Sequence, residues 1–262
     1  MPAGLNALLK RYVPGVHHHL KQGLARTKLP VPKMLLGRPV WTHARLLNIG
    51  VSQPYVLRWV AETVRPGDTF FDVGAHQGWM SLAAARRTGR RGRVVAFEPS
   101  PPLIEYLAYH KRMNRLTQME IVAKAVTNRD ASRVPFSLIG NGDSSMNAVF
   151  GTGGQGDPSQ GKSVIEIETI TLDSFSRQSG LVPDVIKIDV EGAELWVCEG
   201  AREVIAERRP ALILATHPLW LPEGQRIEDL FELLSGYDYR IVDSDIQKYK
   251  GTDYGDYLCV AD

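Results

Sequence analysis

The ten residues FFDVGAHQGW, 70–79, constrain the fold more than any other stretch. An apolar run closes on an acid, Asp72, and two glycines four residues apart, Gly74 and Gly78, follow it. Apolar residues without alternation read as a strand buried on both faces. After Gly78 the spacing becomes helical as far as Gly89. A buried strand turning at once into a helix is half of a βαβ unit, and the same figure recurs along the chain. RVVAFE (93–98), MEIVAKAV (119–126), DVIKIDV (184–190) and PALILAT (210–216) read as further strands. PLIEYLAYHKRMN (102–114), a stretch through Ala201–Ala206 and residues near 226–234 read as helices, with terminal strands at YRIVD and YLCVA. The expected class is therefore α/β: an open, doubly wound, mostly parallel sheet with helices on both faces.

With 262 residues the chain can bury one such sheet, and its 44% hydrophobic and 23% charged fractions exclude a disordered polymer. Cys198 and Cys259 are too few and too far apart for a disulfide framework, which implies a reducing compartment. No apolar run approaches the ~18 residues of a membrane span, and the start lacks a secretory signal pattern. A cytoplasmic protein is expected, with peripheral contact to the inner face of the membrane arising from charge. Residues 1–50 hold eight basic side chains and no acid, which leaves a net −6 on the remainder.

That basic arm, assigned to 1–52, carries a helical stripe from Leu5 to Leu20 interrupted by Pro14 and Gly15. It reads as a solvated segment over the main domain, or as one attracted to an acidic membrane or anionic substrate. No nucleic acid partner is expected, since no basic-aromatic binding module is present. His17, His18 and His19 are adjacent and cannot face one metal from a regular backbone, so they read as a polar loop. The domain proper, 53–262, opens with a helix capped at Ser52 and striped by Val56, Leu57, Val60 and Val64, and RPGD (65–68) ends it. In 140–161 seven of 22 residues are glycine, too many for a packed element; a lid and a surface insertion both fit.

In an open parallel sheet, ligands sit beyond the carboxyl ends of the strands. Asp72 ends the first strand, Gly74 permits the tight turn and Gly78 permits a close approach to the helix. Glu98 ends the next strand about 20 residues past Gly78, the spacing at which an acid reaches ribose hydroxyls. The run Gly74-Ala75-His76-Gln77-Gly78 lacks the three glycines of a dinucleotide fingerprint, and Asp72 would repel a pyrophosphate. An acid there suits a cationic ligand. S-adenosylmethionine (SAM), positive at sulfur and amine and carrying a ribose, meets both demands, whereas the plain alternative for Asp72 is a helix N-terminal acid.

VRPGDTFFDVGAHQGW, GRVVAFEPSPPLIEYLAYHKRMN, TLDSF and VIKIDVEGAE together resemble the FkbM-type family of SAM-dependent methyltransferases from about residue 60 to 218. The resemblance implies a class I methyltransferase (Rossmann-like) fold, with a seven-stranded, mostly parallel sheet whose last strands are reversed. It implies a cofactor loop of Asp72, Gly74, Ala75 and Gly78, a ribose acid at Glu98, and Ala125 and Val126 beside the adenine. Many members carry Asn where this chain has His76, and Glu where it has Ala215 before THP.

Transfer of a methyl to oxygen requires orientation and removal of the hydroxyl proton. His217, after the PALILAT strand, has an intrinsic pKa suited to a general base. Asp189 ends DVIKIDV on the same side as Lys187 and is read as base, His orienter or metal ligand. Glu191 and Glu194 share a face if both are helical, and otherwise read as helix N-terminal acids. Mg²⁺ or Ca²⁺ on Asp189 and Glu191 suits a hard-cation oxygen site. The expected activity is O-methylation of a hydroxyl on a sugar, glycolipid or polyketide-like small molecule. The alternatives are N- or carboxyl methylation, or a non-catalytic, membrane-associated cofactor-binding scaffold.

Overall fold

The run at 69–73 becomes an interior strand of the main sheet, paired on both sides. The structure, a computed structural model, describes residues 29–48, 53–142, 144, 147–149, 162–249 and 252–262. The stripe from Leu5 to Leu20, His17–His19, the cap at Ser52 and most of the glycine-rich loop lie outside the described residues.

From the centre, β3 (Thr69–Val73), β4 (Arg93–Phe97) and β5 (Met119–Val122) step outward in one direction. The chain then returns to the other side of β3 with β10 (Val185–Ile188) and β11 (Ala211–Thr216), followed by β12 (Tyr239–Tyr249) and β13 (Thr252–Ala261). The order is β12-β13-β11-β10-β3-β4-β5. The expectation that both last strands are reversed needs correction. β13 is antiparallel to β11 and to β12, so β13 alone runs backwards and β12 points with the rest. The crossovers use α1 (Pro54–Thr63), α2 (Trp79–Thr88), α3 (Pro101–Met113), α4 (Leu172–Ser179), α5 (Glu194–Glu199), α6 (Arg202–Arg208) and α7 (Ile227–Ser235). The helix expected through 201–206 is split at Gly200, where a Cβ would meet the Thr127 carbonyl at 2.1 Å.

Two apolar layers follow from alternation in the central strands. Phe70, Val94 and Ala96 face Trp59, Leu82 and Leu107 on one side. Phe71, Val95, Phe97 and Ile186 face Leu172, Phe175 and Val197 on the other. Phe71, Phe97 and Phe175 meet edge to face at 5.0–5.6 Å, each pair adding about 0.5–1.5 kcal/mol beyond burial. Cys198 and Cys259 are buried free thiols in this second layer. Among the described residues no helix is long and apolar enough to cross a membrane.

Two smaller sheets complete the fold. β6 (Ala125–Val126), β9 (Lys162–Ile170), β7 (Arg133–Ile139) and β8 (Ala148–Val149) form one in that order. Residues 29–48 of the arm form a hairpin, β1 (Pro30–Leu35) and β2 (Arg38–His43), and a 3-10 turn, Ala44–Asn48. Val31, Leu35, Val40 and Leu46 are buried.

Gly74 shows why glycine is required after β3. Its φ is +76°, and a Cβ would fall 1.9 Å from the Asp189 carbonyl oxygen at the end of β10. Gly89 also has positive φ, +66°, but nothing lies within 4 Å of its Cβ position. Gly74→Ala is expected to lower stability by more than about 2 kcal/mol, and Gly89→Ala by about 1–2 kcal/mol, the backbone cost alone. Urea unfolding reads both; equal midpoints would show that the loop and β10 do not abut.

Candidate active site at the sheet switch point

The chain leaves β3 in both directions across the sheet, so a crevice opens above the carboxyl ends of β3 and β10. It is a partly enclosed crevice with mostly apolar walls and a few convergent polar groups, the character of a small-molecule site. Gly74, Glu98, Ala125 and Val126 line it, as do Asp189 and Glu191. Phe136 and Asn147, from the small sheet around β7, form the far wall. Neither was anticipated, because the glycine-rich stretch between β7 and β9 hides how they fold over the cleft.

Asp72, Ala75 and Gly78 are not among its lining residues. Asp72 is fully buried below the loop, where its Oδ2 accepts from Ser81 Oγ at 2.5 Å and its Oδ1 lies 3.4 Å from Lys187 Nζ. Its expected direct contact with a cationic ligand gives way to a supporting position, because Lys187 already occupies its free side. Gly78 takes φ +83°, a conformation that favours glycine, and a Cβ there would meet the end of the Leu107 side chain of α3 at 2.6 Å. His76 sits at φ +50°, a left-handed position that His and Asn tolerate better than most residues, so the departure from Asn keeps the turn.

Glu98 is oriented by the turn it faces. Oε2 accepts from the His76 N–H at 2.8 Å and Oε1 from the Ser100 N–H at 2.9 Å. Each oxygen keeps a lone pair for a ligand hydroxyl. Burial pushes its carboxyl up to about 7, against the pull of both hydrogen bonds and of Lys187.

Lys187 is the buried cation that ties the two strands together. Strand register sets it beside Asp72, and its Nζ donates to the Gly74 carbonyl at 2.7 Å and lies 3.4 Å from Asp189 Oδ2. Burial would lower its pKa, but Asp189 and Asp72 outweigh that and raise it. Asp189 also accepts from Gln53 Nε2 at 3.1 Å. Although burial disfavours its charge, Lys187 and His217 hold its pKa below the ordinary value, so it is ionised at neutral pH.

His217 lies in a cage of carboxylates. Its Nδ1 is 2.6 Å from Glu194 Oε1, and its Nε2 is 3.7 Å from Asp189 Oδ1 and 3.6 Å from Glu191 Oε2. Trp220 stacks on the ring at 5.3 Å. Burial alone would lower the imidazole, but Glu194, Glu191 and Asp189 lift it to about 10. The neutral base expected from its intrinsic pKa is thus replaced by an imidazolium at pH 7. Burial, with Asp189 and Glu194 adding, raises Glu191 to about 8. Glu191 is not helical: it takes φ +55° in the turn before α5, while Glu194 begins that helix, so they share no helix face. Ligand atoms of Asp189, Glu191 and His217 all lie within 4.8 Å of one another, close enough to hold one cation.

On the far side of His217 lies a second, more polar cleft of about 580 Å³, lined by Gln53, His217, Asp245, Gln247, Tyr254 and Asp256 among others. Strand pairing explains its acid. Ala215, where many FkbM-type members carry Glu, sits opposite Asp256 of β13, and Asp256 opposite Asp245 of β12. Cross-strand partners share a face, so a carboxylate stands one strand away from the missing Glu. Burial and the nearby Asp189 raise Asp256 to about 7.

A seven-stranded sheet in this order, reversed only at β13 and cleft above its switch point, is the class I SAM-dependent methyltransferase fold. The methyltransferase FkbM domain matches residues 72–241, more than half of the chain, and the chain belongs to that family. A methyltransferase FkbM from Methylobacillus flagellatus aligns with 17% identity and TM-score 0.48, covering 97% of this chain. The chain spans 60% of the length of that protein. A SAM-dependent methyltransferase candidate from Streptococcus mutans aligns at TM-score 0.50 and 10% identity, over 88% of this chain and 55% of the other. Fibrillarin from Aeropyrum pernix, solved with bound SAM, aligns at TM-score 0.45 and 14% identity, over 75% and 68%. A comparison with curated proteins finds no significant match.

Proposed function

We propose that the chain is a SAM-dependent methyltransferase that methylates a hydroxyl group of a sugar, glycolipid or polyketide-like small molecule in the cytoplasm. The observation that carries this reading is the pair of clefts on either side of Asp189 and His217, one largely apolar and one polar. The first fits the cofactor: Glu98 offers lone pairs to vicinal ribose hydroxyls, and Phe97, Val126 and Phe136 form apolar walls for a base. When bound there, SAM supplies an activated methyl group. The Gly74 backbone and Glu98 would hold it, and Lys187 ties the loop to β10 from below. Gln53, Gln247 and Asp256 orient the acceptor in the second cleft. Asp189, ionised and between the clefts, accepts the hydroxyl proton as the methyl is transferred. The imidazolium of His217, fixed by Glu194, holds that carboxylate in place.

A divalent cation is the second reading, favoured by the three ligand atoms within 4.8 Å. Asp189, Glu191 and His217 would hold Mg²⁺ or Ca²⁺, which would supply a fixed positive charge for the acceptor oxygen. Incubating the chain with methyl-labelled SAM and hydroxylated acceptors tests both. Label on oxygen, at a rate indifferent to chelator, is expected. Loss with chelator and recovery with Mg²⁺ or Ca²⁺ would assign the cluster to the metal. Label on nitrogen or carboxyl would overturn the acceptor class, and SAM binding without transfer to any acceptor would leave a scaffold.

A further inference from the structure

The β1–β2 hairpin presents a surface of a different character from these clefts. Within it Val31, Leu35, Val40 and Thr42 are buried, and the exposed residues of the opposite alternate set are apolar as well. Pro32 pairs across the strands with Trp41, and Met34 with Pro39. All four are exposed, Met34 at 68% and Trp41 at 45%, and Leu36 stands exposed at the turn. A soluble hairpin normally presents polar side chains on its outer face, so a face without one is a specific departure.

Beside it runs an open groove of about 970 Å³ between the hairpin and the end of α3, where Arg86, Arg112 and Arg115 surround Trp41 and Pro39. No carboxylate among the described residues lines this groove. Among the described residues, neither these arginines nor Arg38 at the hairpin turn forms an ion pair. The hairpin is fixed over the groove by Asn114, whose Oδ1 accepts from the Trp41 N–H at 2.8 Å and whose Nδ2 donates to its carbonyl at 2.7 Å. Arg86 donates to the Pro39 carbonyl. The apolar face and the cations are therefore held in one rigid arrangement.

We propose that the outer face of the β1–β2 hairpin and the arginine groove beside it form a docking surface for a membrane containing anionic lipid. Pro32, Met34, Leu36 and Trp41 enter the boundary between headgroups and acyl chains, a depth that indole rings favour. Arg38, Arg112 and Arg115 meet lipid phosphates; none is paired with a carboxylate among the described residues, although Arg112 also lies over the Tyr109 ring at 5.6 Å. Residues 1–28 carry Lys10, Arg11, Lys21, Arg26 and Lys28 and no acid, so their charge adds to the attraction for anionic lipid. A polyanion such as RNA would use the arginines but would gain nothing from exposed Met34 and Pro32.

The test is sedimentation of the full chain with phosphatidylcholine vesicles containing about 30% phosphatidylserine, at low salt and with added salt. Binding is expected to the anionic vesicles and to fall with salt. Arg112→Ala with Arg115→Ala should weaken it about tenfold or more, and Met34→Ser, which alters no charge, should weaken it without changing the salt dependence. All these side chains are exposed or half-buried, so each variant should melt as the parent does. Tryptophan emission should shift to the blue on vesicles in the parent and lose that shift in Trp41→Phe. Equal binding to neutral vesicles, no binding, or unchanged binding in both variants would overturn the proposal. So would tighter binding to single-stranded RNA that the arginine pair, but not Met34→Ser, abolishes.

Discussion

Asp189→Asn is expected to lower the rate of methyl transfer by ~10²–10⁴-fold, the range for loss of a positioned general base, while SAM affinity stays within a few-fold of the parent. The substitution keeps the shape of the side chain and the oxygen that accepts from Gln53, and removes the charge beside Lys187 and His217. Folding stability is expected to move in a defined direction. The Asp189 pKa is depressed in the folded protein, so its ionised form contributes stability above the usual value near 3.8 and loses it as pH falls through the lower folded value. At pH 7 the Asn variant should therefore melt lower than the parent, and at pH 3 the gap should narrow. Single-turnover rates with calorimetric SAM affinity separate chemistry from binding. A near-normal rate would remove Asp189 as proton acceptor and leave orientation as the contribution of the cluster. A parallel loss of SAM affinity would place the carboxylate in the cofactor site.

The parts of the site that were legible in the sequence lie within one strand and its following turn. Asp72, Gly74 and Glu98 show themselves because strand, turn and helix are consecutive, and Lys187 and Asp189 share a side because side chains alternate along β10. What the sequence hides is non-local. The reason Gly74 must be glycine is the backbone of Asp189, on the neighbouring strand. His217 looks like a base until Glu194 and Glu191 are placed around it. Gln53 comes from the residue before α1 and Tyr254 and Asp256 from β13, so no spacing rule joins them to His217. The β1–β2 hairpin was hidden by its own chemistry. Pro30, Pro32 and Pro39 weaken the strand signal, yet an isolated two-stranded ribbon has edges that accept proline. Glu191 and Glu194 have helical spacing, but the left-handed turn at Glu191 and Gly192 separates them.

SAM binding is expected to weaken about tenfold between pH 8 and pH 6, and Glu98 is expected to account for it. Its carboxyl is at about 7 because burial outweighs two backbone hydrogen bonds and Lys187. Ribose hydroxyls donate to an ionised carboxylate, so the binding-competent form is the one that dominates above about 7. With a single titrating group, the apparent dissociation constant rises about tenfold for each pH unit below its pKa. The apoprotein should respond in the opposite sense. A raised carboxyl pKa means that the folded state holds the proton more tightly than the unfolded chain. The apoprotein therefore loses stability as pH climbs from near 4.5 to about 7, and bound SAM offsets that loss. Glu98→Gln keeps one acceptor for His76 or Ser100 but cannot ionise. Its affinity at pH 8 should fall roughly 10–100-fold, the loss of a charge-assisted hydrogen-bond pair, and should then change little with pH. Calorimetry of the parent and Glu98→Gln across this range decides the matter. A parent affinity flat from pH 6 to 8, or a Gln variant that binds as well as the parent at pH 8, would take the ribose away from Glu98.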